Sequence, residues 1–391
     1  MSDVVIVGAK RTAIGSFLGQ FTGTPTPTLG SAAIAGALAQ SGLAADQVDE
    51  VIMGCVLPAG LGQAPARQAS RAAGIPDAAG ATTINKVCGS GMKAVMLAHD
   101  IIKAGSAKAV VAGGMESMTN APHLLNGSRT GVRYGSAEFL DHMAFDGLTN
   151  PYDGKAMGIF GDAACAKYGY DRAAIDAFSA ESARRAQAAQ ASGAFAAEIV
   201  PVTVKTRKGE AVVDKDEEPG KIDLNKIPEL RPAFGKEGVL TAASSSKISD
   251  GAAALVVMSA EAAAAAGAKP LARIVAHATH SQAPEWFTTA PVAALQSVLA
   301  KAGWSVADVD LFEVNEAFAC VAMAPMSDLG IAHDKLNVNG GALALGHPIG
   351  CSGARLLVTL IHALQARGGK RGVASLCIGG GEATAVAVEL A

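Results

Sequence analysis

The sequence predicts an α/β protein built from two layered halves related by a pseudo-dyad, with a lid-like loop domain inserted into the first half. Three observations carry this expectation. Short apolar runs alternate with helical stretches from the start, the composition changes between residues 118 and 247, and a pattern of the first half recurs in the second. The expected units are 1–117 plus 248–268 for the first half, 118–247 for the insertion and 269–391 for the second half.

At 391 residues the chain exceeds a single ordinary core. Half of it is hydrophobic and only 17% is charged, which fits a well-buried enzyme and not a disordered chain. A net charge of -3 gives no pull towards nucleic acid or an anionic membrane, and there is no apolar run long enough to span one. Val4-Val5-Ile6-Val7 follows the first residues almost at once, leaving no room for a targeting peptide, and Val388-Glu389-Leu390-Ala391 carries no peroxisomal or prenylation signal. The six cysteines (55, 88, 165, 320, 351, 377) form no CxxC pair or Cys/His cluster, so neither zinc nor a disulfide framework is expected. Reduced thiols in the cytoplasm fit better.

In order, Val4–Val7 reads as a strand, 30–40 as a helix, 51–55 as a strand and 64–73 as a helix. The run 82–87 reads as a strand leading to Cys88, 92–104 as a helix, and 108–113 as a buried strand closed by Gly113-Gly114. This alternation predicts a mostly parallel sheet covered by helices. Beyond Ser117 glycine, proline, aromatic and charged residues rise. One clear helix is expected there, over 172–191, with Asp171 as its N-cap. An insertion of this size at the C-terminal end of a sheet is where a substrate lid would sit.

From Leu271 the rhythm resumes as a repeat. Val48-Asp49-Glu50-Val51 is matched by Val309-Asp310-Leu311-Phe312, and Gly89-Ser90-Gly91 by Cys351-Ser352-Gly353. The two patterns run over similar intervals, 48 to 91 and 309 to 353, and each leads through an apolar helix to a strand ending in glycines. Two copies of one unit pack about a dyad, which places the matching turns together at a junction where a site is expected.

Four segments place reactive side chains beside glycines at strand ends: Asn85-Lys86-Val87-Cys88-Gly89-Ser90-Gly91, Asn315-Glu316-Ala317-Phe318, Gly340 to Gly350 with His347, and Cys377-Ile378-Gly379-Gly380-Gly381. A thiol before a helix sits near unpaired N–H groups that favour thiolate. A histidine within reach could take its proton. Gly346 and Pro348 predict an irregular, exposed presentation of His347. Two cysteines at strand ends suggest one covalent nucleophile and one proton carrier. A buried cysteine is also an ordinary core residue, so position alone leaves either of them open to an inert role.

The segments NKVCGSGMKAV, NEAFA, GGALALGHPIGCSGA and CIGGG resemble the four signature blocks of the thiolase family, and the likeness runs from VVIVGAKRTAIGSF through AGGMESM and LRPAF to the last strand. The resemblance implies the thiolase fold and an acetyl-CoA C-acetyltransferase type of activity: reversible Claisen condensation of two acetyl-CoA, or thiolysis of a 3-ketoacyl-CoA, through an acyl-cysteine. It implies Cys88 as nucleophile, His347 as the group deprotonating it, Cys377 as the acid/base at C2, and Asn315 as the holder of a water that binds the enolate oxygen with His347. The N–H groups of Cys88 and Gly379 would form the second oxyanion hole. Leu148 and Met157 would line the pantetheine tunnel, Phe318 would flank it, Ser246 would touch the pantetheine arm and Lys221 would approach the nucleotide phosphates.

The chain also departs from the family pattern. Ala156 stands before Met157 where histidine is usual, Ser244 where asparagine is usual, and Phe287 near the acyl pocket where methionine is common. The bulkier ring suggests a short acyl pocket, while Ala156 frees space nearby. No cofactor is expected, coenzyme A thioesters being substrates, and the family suggests a homo-oligomer, dimer or tetramer. The rivals are a decarboxylating ketoacyl-synthase type enzyme, against which CIGGG argues, and a non-catalytic acyl-CoA carrier.

Overall fold

The computed structural model describes residues 3–207 and 209–391. Among the described residues nine of the eleven strands of the main sheet lie side by side in one path: β1 (Val4–Thr12), β2 (Glu50–Gly54), β3 (Gly80–Ile84), β4 (Ala109–Ser117), β5 (Ser249–Ser259), β6 (Ala272–Ser281), β7 (Leu311–Val314), β8 (Arg371–Ile378) and β9 (Glu382–Leu390). Their order is β7-β8-β9-β6-β1-β5-β4-β2-β3, with two short strands pairing off this path. Among the described residues the two half-sheets join through just two residue pairs of β1 and β6, Val5 with Arg273 and Ile6 with Ala272. On either side of that seam the order repeats. β5, β4 and β2 follow β1 as β9, β8 and β7 follow β6, and a parallel bridge from Phe312 to Leu336 stands where the first half has β3.

The expectation of a mostly parallel sheet is wrong for the inner strands. β2 pairs in parallel with β3 and β4, and β7 with β8, as helical crossovers require. But β5 runs antiparallel between β1 and β4, and β9 antiparallel between β6 and β8. The reason is how the chain returns. The insertion leaves at Ser117 and comes back so that Asp250 pairs with Ser117 itself. In the second half the corresponding return is Gly379-Gly380-Gly381, which brings Glu382 opposite Ile378.

Alternate residues of β1 enter different cores. Val4 and Ile6 join a central cluster with Met92, Val95, Leu356, Leu360 and Val386, while Val5 and Val7 face the outer helix Thr26–Ser41. Between the two half-sheets lie the helices Ser90–Lys103 and Ser352–Arg367. The latter is buried continuously from Ser352 to Leu364, as an apolar helix with protein on all sides must be. The matched glycine turns meet. A Cβ on Gly91 would lie 2.9 Å from Ala354 N, and one on Gly353 2.4 Å from Met92 N, so only glycine permits this approach.

Several expected bounds shift. The first helix begins earlier, at Thr26, and the strand before Cys88 stops at Ile84, leaving Asn85 to Gly89 as a loop. The insertion holds a second helix, Met157–Tyr168, beside the expected one at Arg172–Ser192, whose N-cap Asp171 accepts from Ala174 N at 2.8 Å.

Candidate active site

Cys88 sits in the tight loop between β3 and the Ser90–Lys103 helix. Asn85 Oδ1 accepts from Val87 N at 2.8 Å, Ser90 Oγ accepts from Lys86 N at 2.8 Å and donates to Val87 O at 2.7 Å. These bonds hold Val87 at φ 45°, a conformation that costs a β-branched residue about 1–3 kcal/mol and that only a fixed surrounding maintains. Burial pushes the Cys88 thiol up to about 11. The backbone N–H groups of Gly379 and of Cys88 itself, both directed at the sulfur, oppose that shift, and the Glu116 carboxylate adds to it. Atoms from both halves therefore meet at one sulfur.

Cys377, near the end of β8, is wholly buried. Its thiol lies well above the usual range, first through burial and then through the charge of Cys88. His347 is also buried, which corrects the expectation of exposure: Gly346 and Pro348 mark an irregular backbone, but the loop is folded under Lys247, whose carbonyl accepts from His347 N at 3.0 Å. Burial, and then the charge of Arg355, hold the imidazole at about 3, so it is neutral at physiological pH. Its Nδ1 lies 2.6 Å from Ser352 Oγ, which is 2.9 Å from Pro348 O. Asn315 Nδ2 lies 3.4 Å from His347 Nε2 and 3.5 Å from Nδ1, while Asn315 Oδ1, fully buried, has no hydrogen-bond partner among the described residues.

Buried carboxylates that sequence reasoning missed hold these loops in place. Glu116 accepts from Val56 N (2.9 Å), Leu57 N (3.1 Å) and Gly350 N (2.9 Å), tying the His347 loop to the first half; burial pushes its carboxyl up to about 7. Glu316 accepts from Ser182 Oγ (2.6 Å), Asn337 Nδ2 (2.8 Å) and Leu343 N (3.2 Å), fixing the segment after Asn315. At the rim the Lys86 ammonium pairs with Glu382, joining the Cys88 loop to the strand that follows Gly379. Motif position gave a signal for Glu316 and Lys86, which stand inside two of the blocks, and Glu116 stands in AGGMESM.

Most of the expected substrate-binding residues gather round these groups. Leu148 packs with Cys88 on the cluster of Val56, Leu57, Met118 and Ile349. Met157, Phe287 and Phe318 share a cluster with Cys377, with the Phe287 and Phe318 rings 6.5 Å apart edge to face, and Ser246 N donates to Ala317 O at 2.9 Å. Lys221 lies apart from the catalytic groups. It lines a cleft of about 280 Å³ that reaches Lys247 and Leu343, and its ammonium contacts Ser16 Oγ and Glu217 Oε1, both at 2.8 Å.

The thiolase N-terminal domain family matches residues 4–261 and the thiolase C-terminal domain family matches residues 268–390. The chain belongs to the thiolase family. This thiolase is 51% identical over 389 residues to an acetyl-CoA acetyltransferase of Chromobacterium violaceum, covering 99% of each chain. It is 50% identical over 391 residues to one of Cupriavidus necator, covering 100% of each. It also superposes on the crystal structure of the Bacillus anthracis acetyl-CoA acetyltransferase with a TM-score of 0.97 at 39% identity, covering 100% of this chain and 99% of that one. The thiolase fold is thus present over the whole described chain. No helix among the described residues is long and apolar enough to cross a membrane.

Proposed function

We propose that this thiolase is an acetyl-CoA C-acetyltransferase working through an acyl-Cys88 intermediate. The observation that carries the reading is the placement of N–H groups from Cys88 and Gly379 on one sulfur, with Cys377 close enough to feel its charge. Carbon–carbon bond formation from two thioesters needs an acyl holder, a base for a carbon acid and two places for negative oxygen, and this set of groups supplies each.

In the first half-reaction Cys88 Sγ attacks the acetyl carbonyl while His347 takes the thiol proton. With the thiol at about 11 and the imidazole at about 3, a preformed ion pair is disfavoured, so proton transfer accompanies attack. The tetrahedral oxyanion rests on the N–H groups of Cys88 and Gly379. The carbon–sulfur bond to coenzyme A then breaks, and the departing thiolate takes the proton back from His347.

In the second half-reaction the Cys377 thiol, held well above its usual range, passes its proton to neutral His347, and the thiolate so formed removes a proton from C2 of a second acetyl-CoA. The enolate oxygen is held by His347 and by a water on Asn315, whose buried Oδ1 needs a donor. The carbanion attacks acetyl-Cys88, the new bond forms, and Cys88 leaves as thiolate and takes the proton held on His347, which restores both thiols and the neutral imidazole. Ser352 suits both steps: its hydroxyl can accept from Nδ1–H while bonded to Pro348 O, or turn and donate to Nδ1, so Nε2 serves as acceptor or donor.

The reading extends to the coenzyme A arm, with the Lys221 cleft and Ser246 as its path, and to catalysis without metal or cofactor. It also extends to a homo-oligomer, since β3 is an open sheet edge, and to the cytoplasm, since all six thiols are free. Initial rates of acetoacetyl-CoA thiolysis at several coenzyme A concentrations test it. Parallel double-reciprocal lines are expected; intersecting lines, or no turnover, would refute it.

A further inference from the structure

We propose that His99, Asp100 and His277 form a binding site for a first-row divalent cation, zinc above all, remote from the acyl-transfer groups. The donor atoms, two imidazole nitrogens and a carboxylate oxygen, lie within 4.8 Å of one another. Asp100 Oδ1 is 3.0 Å from His99 Nδ1 and 2.8 Å from His277 Nε2, and the rings stand edge to face with centroids 4.9 Å apart. Two nitrogens therefore reach one oxygen from different directions. Bonds of about 2.0–2.2 Å from a central zinc would place such donors roughly 3.4 Å apart, so each nitrogen–oxygen separation needs to widen by only about half an ångström.

The positions come from different parts of the fold. His99 and Asp100 are on the Ser90–Lys103 helix of the first half, while His277 is on β6 of the second. A register shift in β6 between Ile274 and Ala276 decides where His277 points. Before it Ala272 and Ile274 enter the central cluster; after it Ala276 and Ala278 enter the outer one, and His277 turns to the helix.

The side chains of His99 and His277 are 14% and 18% exposed and that of Asp100 is 50%, so the donors are held yet open to an ion from one side. An ion needs His99 Nδ1 and His277 Nε2 free of protons, and each ring can carry its proton on the other, outward nitrogen. Lys301, which donates to His277 O at 3.0 Å, is a nearby cation that weakens the site without occupying it.

A cation here would staple residues 177 apart in sequence, and because the unfolded chain cannot gather them, it would stabilise the native state. Cobalt titration of the full-length protein tests the proposal. One equivalent should develop ligand-field bands with no thiolate charge-transfer band. His277→Gln and His99→Ala should each weaken binding on the order of 100-fold while acetyl transfer stays unchanged, and zinc should raise the unfolding temperature of the parent but not of His277→Gln. Charge-transfer bands that persist in both variants would place the ion on thiols, and equal affinity in parent and variants, or no bands at millimolar cobalt, would equally overturn the proposal.

Discussion

Replacing Asn315 by alanine separates catalysis from stability in a way the structure makes quantitative. The backbone bond from Asn315 N to Ser375 O, 3.0 Å, survives the change. The approaches of the side-chain amide to the His347 ring, at 3.4 and 3.5 Å, are long and weak, so little is forfeited with them. What disappears with the amide is a buried oxygen with no protein partner, and with a water as its donor it costs the folded state only about 1 kcal/mol. The small void left behind costs about 1 kcal/mol or less. These nearly cancel, so the unfolding temperature should move by less than about 4 °C.

Catalysis should respond very differently. Losing the water-mediated arm of an oxyanion site lowers kcat for condensation about 10²–10³-fold, equivalent to about 2.7–4 kcal/mol. Acylation of Cys88 relies on the N–H groups of Cys88 and Gly379 and should change by no more than a few-fold. Burst acylation by mass spectrometry, steady-state condensation and a thermal melt on one preparation decide the matter. If acylation and condensation fell together, Asn315 would act by positioning His347 and not by holding the enolate; a large drop in melting temperature would show a structural role instead.

Cys377→Ala should leave acetyl-Cys88 formation intact and lower condensation about 10²–10⁴-fold as a general base is lost; loss of both steps alike would contradict its assignment. Lys86→Met or Glu382→Gln should reduce kcat about tenfold by loosening the two loops that supply the N–H groups, with little effect on stability because the pair is partly exposed. The charge-swapped double variant should recover much of that activity, and equal damage in all three would show the pair to be irrelevant. Because burial raises the Cys88 thiol to about 11, its thiolate fraction grows about tenfold per pH unit through the neutral range. Alkylation of Cys88 by iodoacetamide in a Cys377→Ala background should climb from pH 7 to 9, whereas a rate already flat at pH 7 would indicate a standing thiolate.

The parts of this fold legible in the sequence are those written locally. Reactive residues beside glycines at strand ends marked the segments of Cys88, His347 and Cys377, and the glycine-serine repeat foretold the close approach of the two turns, Gly91 against Ala354 and Gly353 against Met92. Strand direction was not legible, because alternating strands and helices report crossovers and not the returns at Ser117–Asp250 and Ile378–Glu382. The Met157–Tyr168 helix was hidden by Gly158 and Gly161, poor helix residues that are there to admit the Phe234 ring and the Leu240 side chain. The depth of His347 was hidden because Gly346 and Pro348 reveal backbone irregularity and nothing of what lies above it. Glu116 looked like any acid, since its three amide donors come from segments about 60 and more than 230 residues away.

The central claim is that Cys88 carries the acyl group, and intact-mass analysis with peptide mapping after brief mixing with acetyl-CoA tests it most directly. One acetyl group on Cys88, discharged by added coenzyme A and missing from Cys88→Ala, is the predicted result. Acetylation elsewhere, or turnover by Cys88→Ala at the parent rate, would contradict the account.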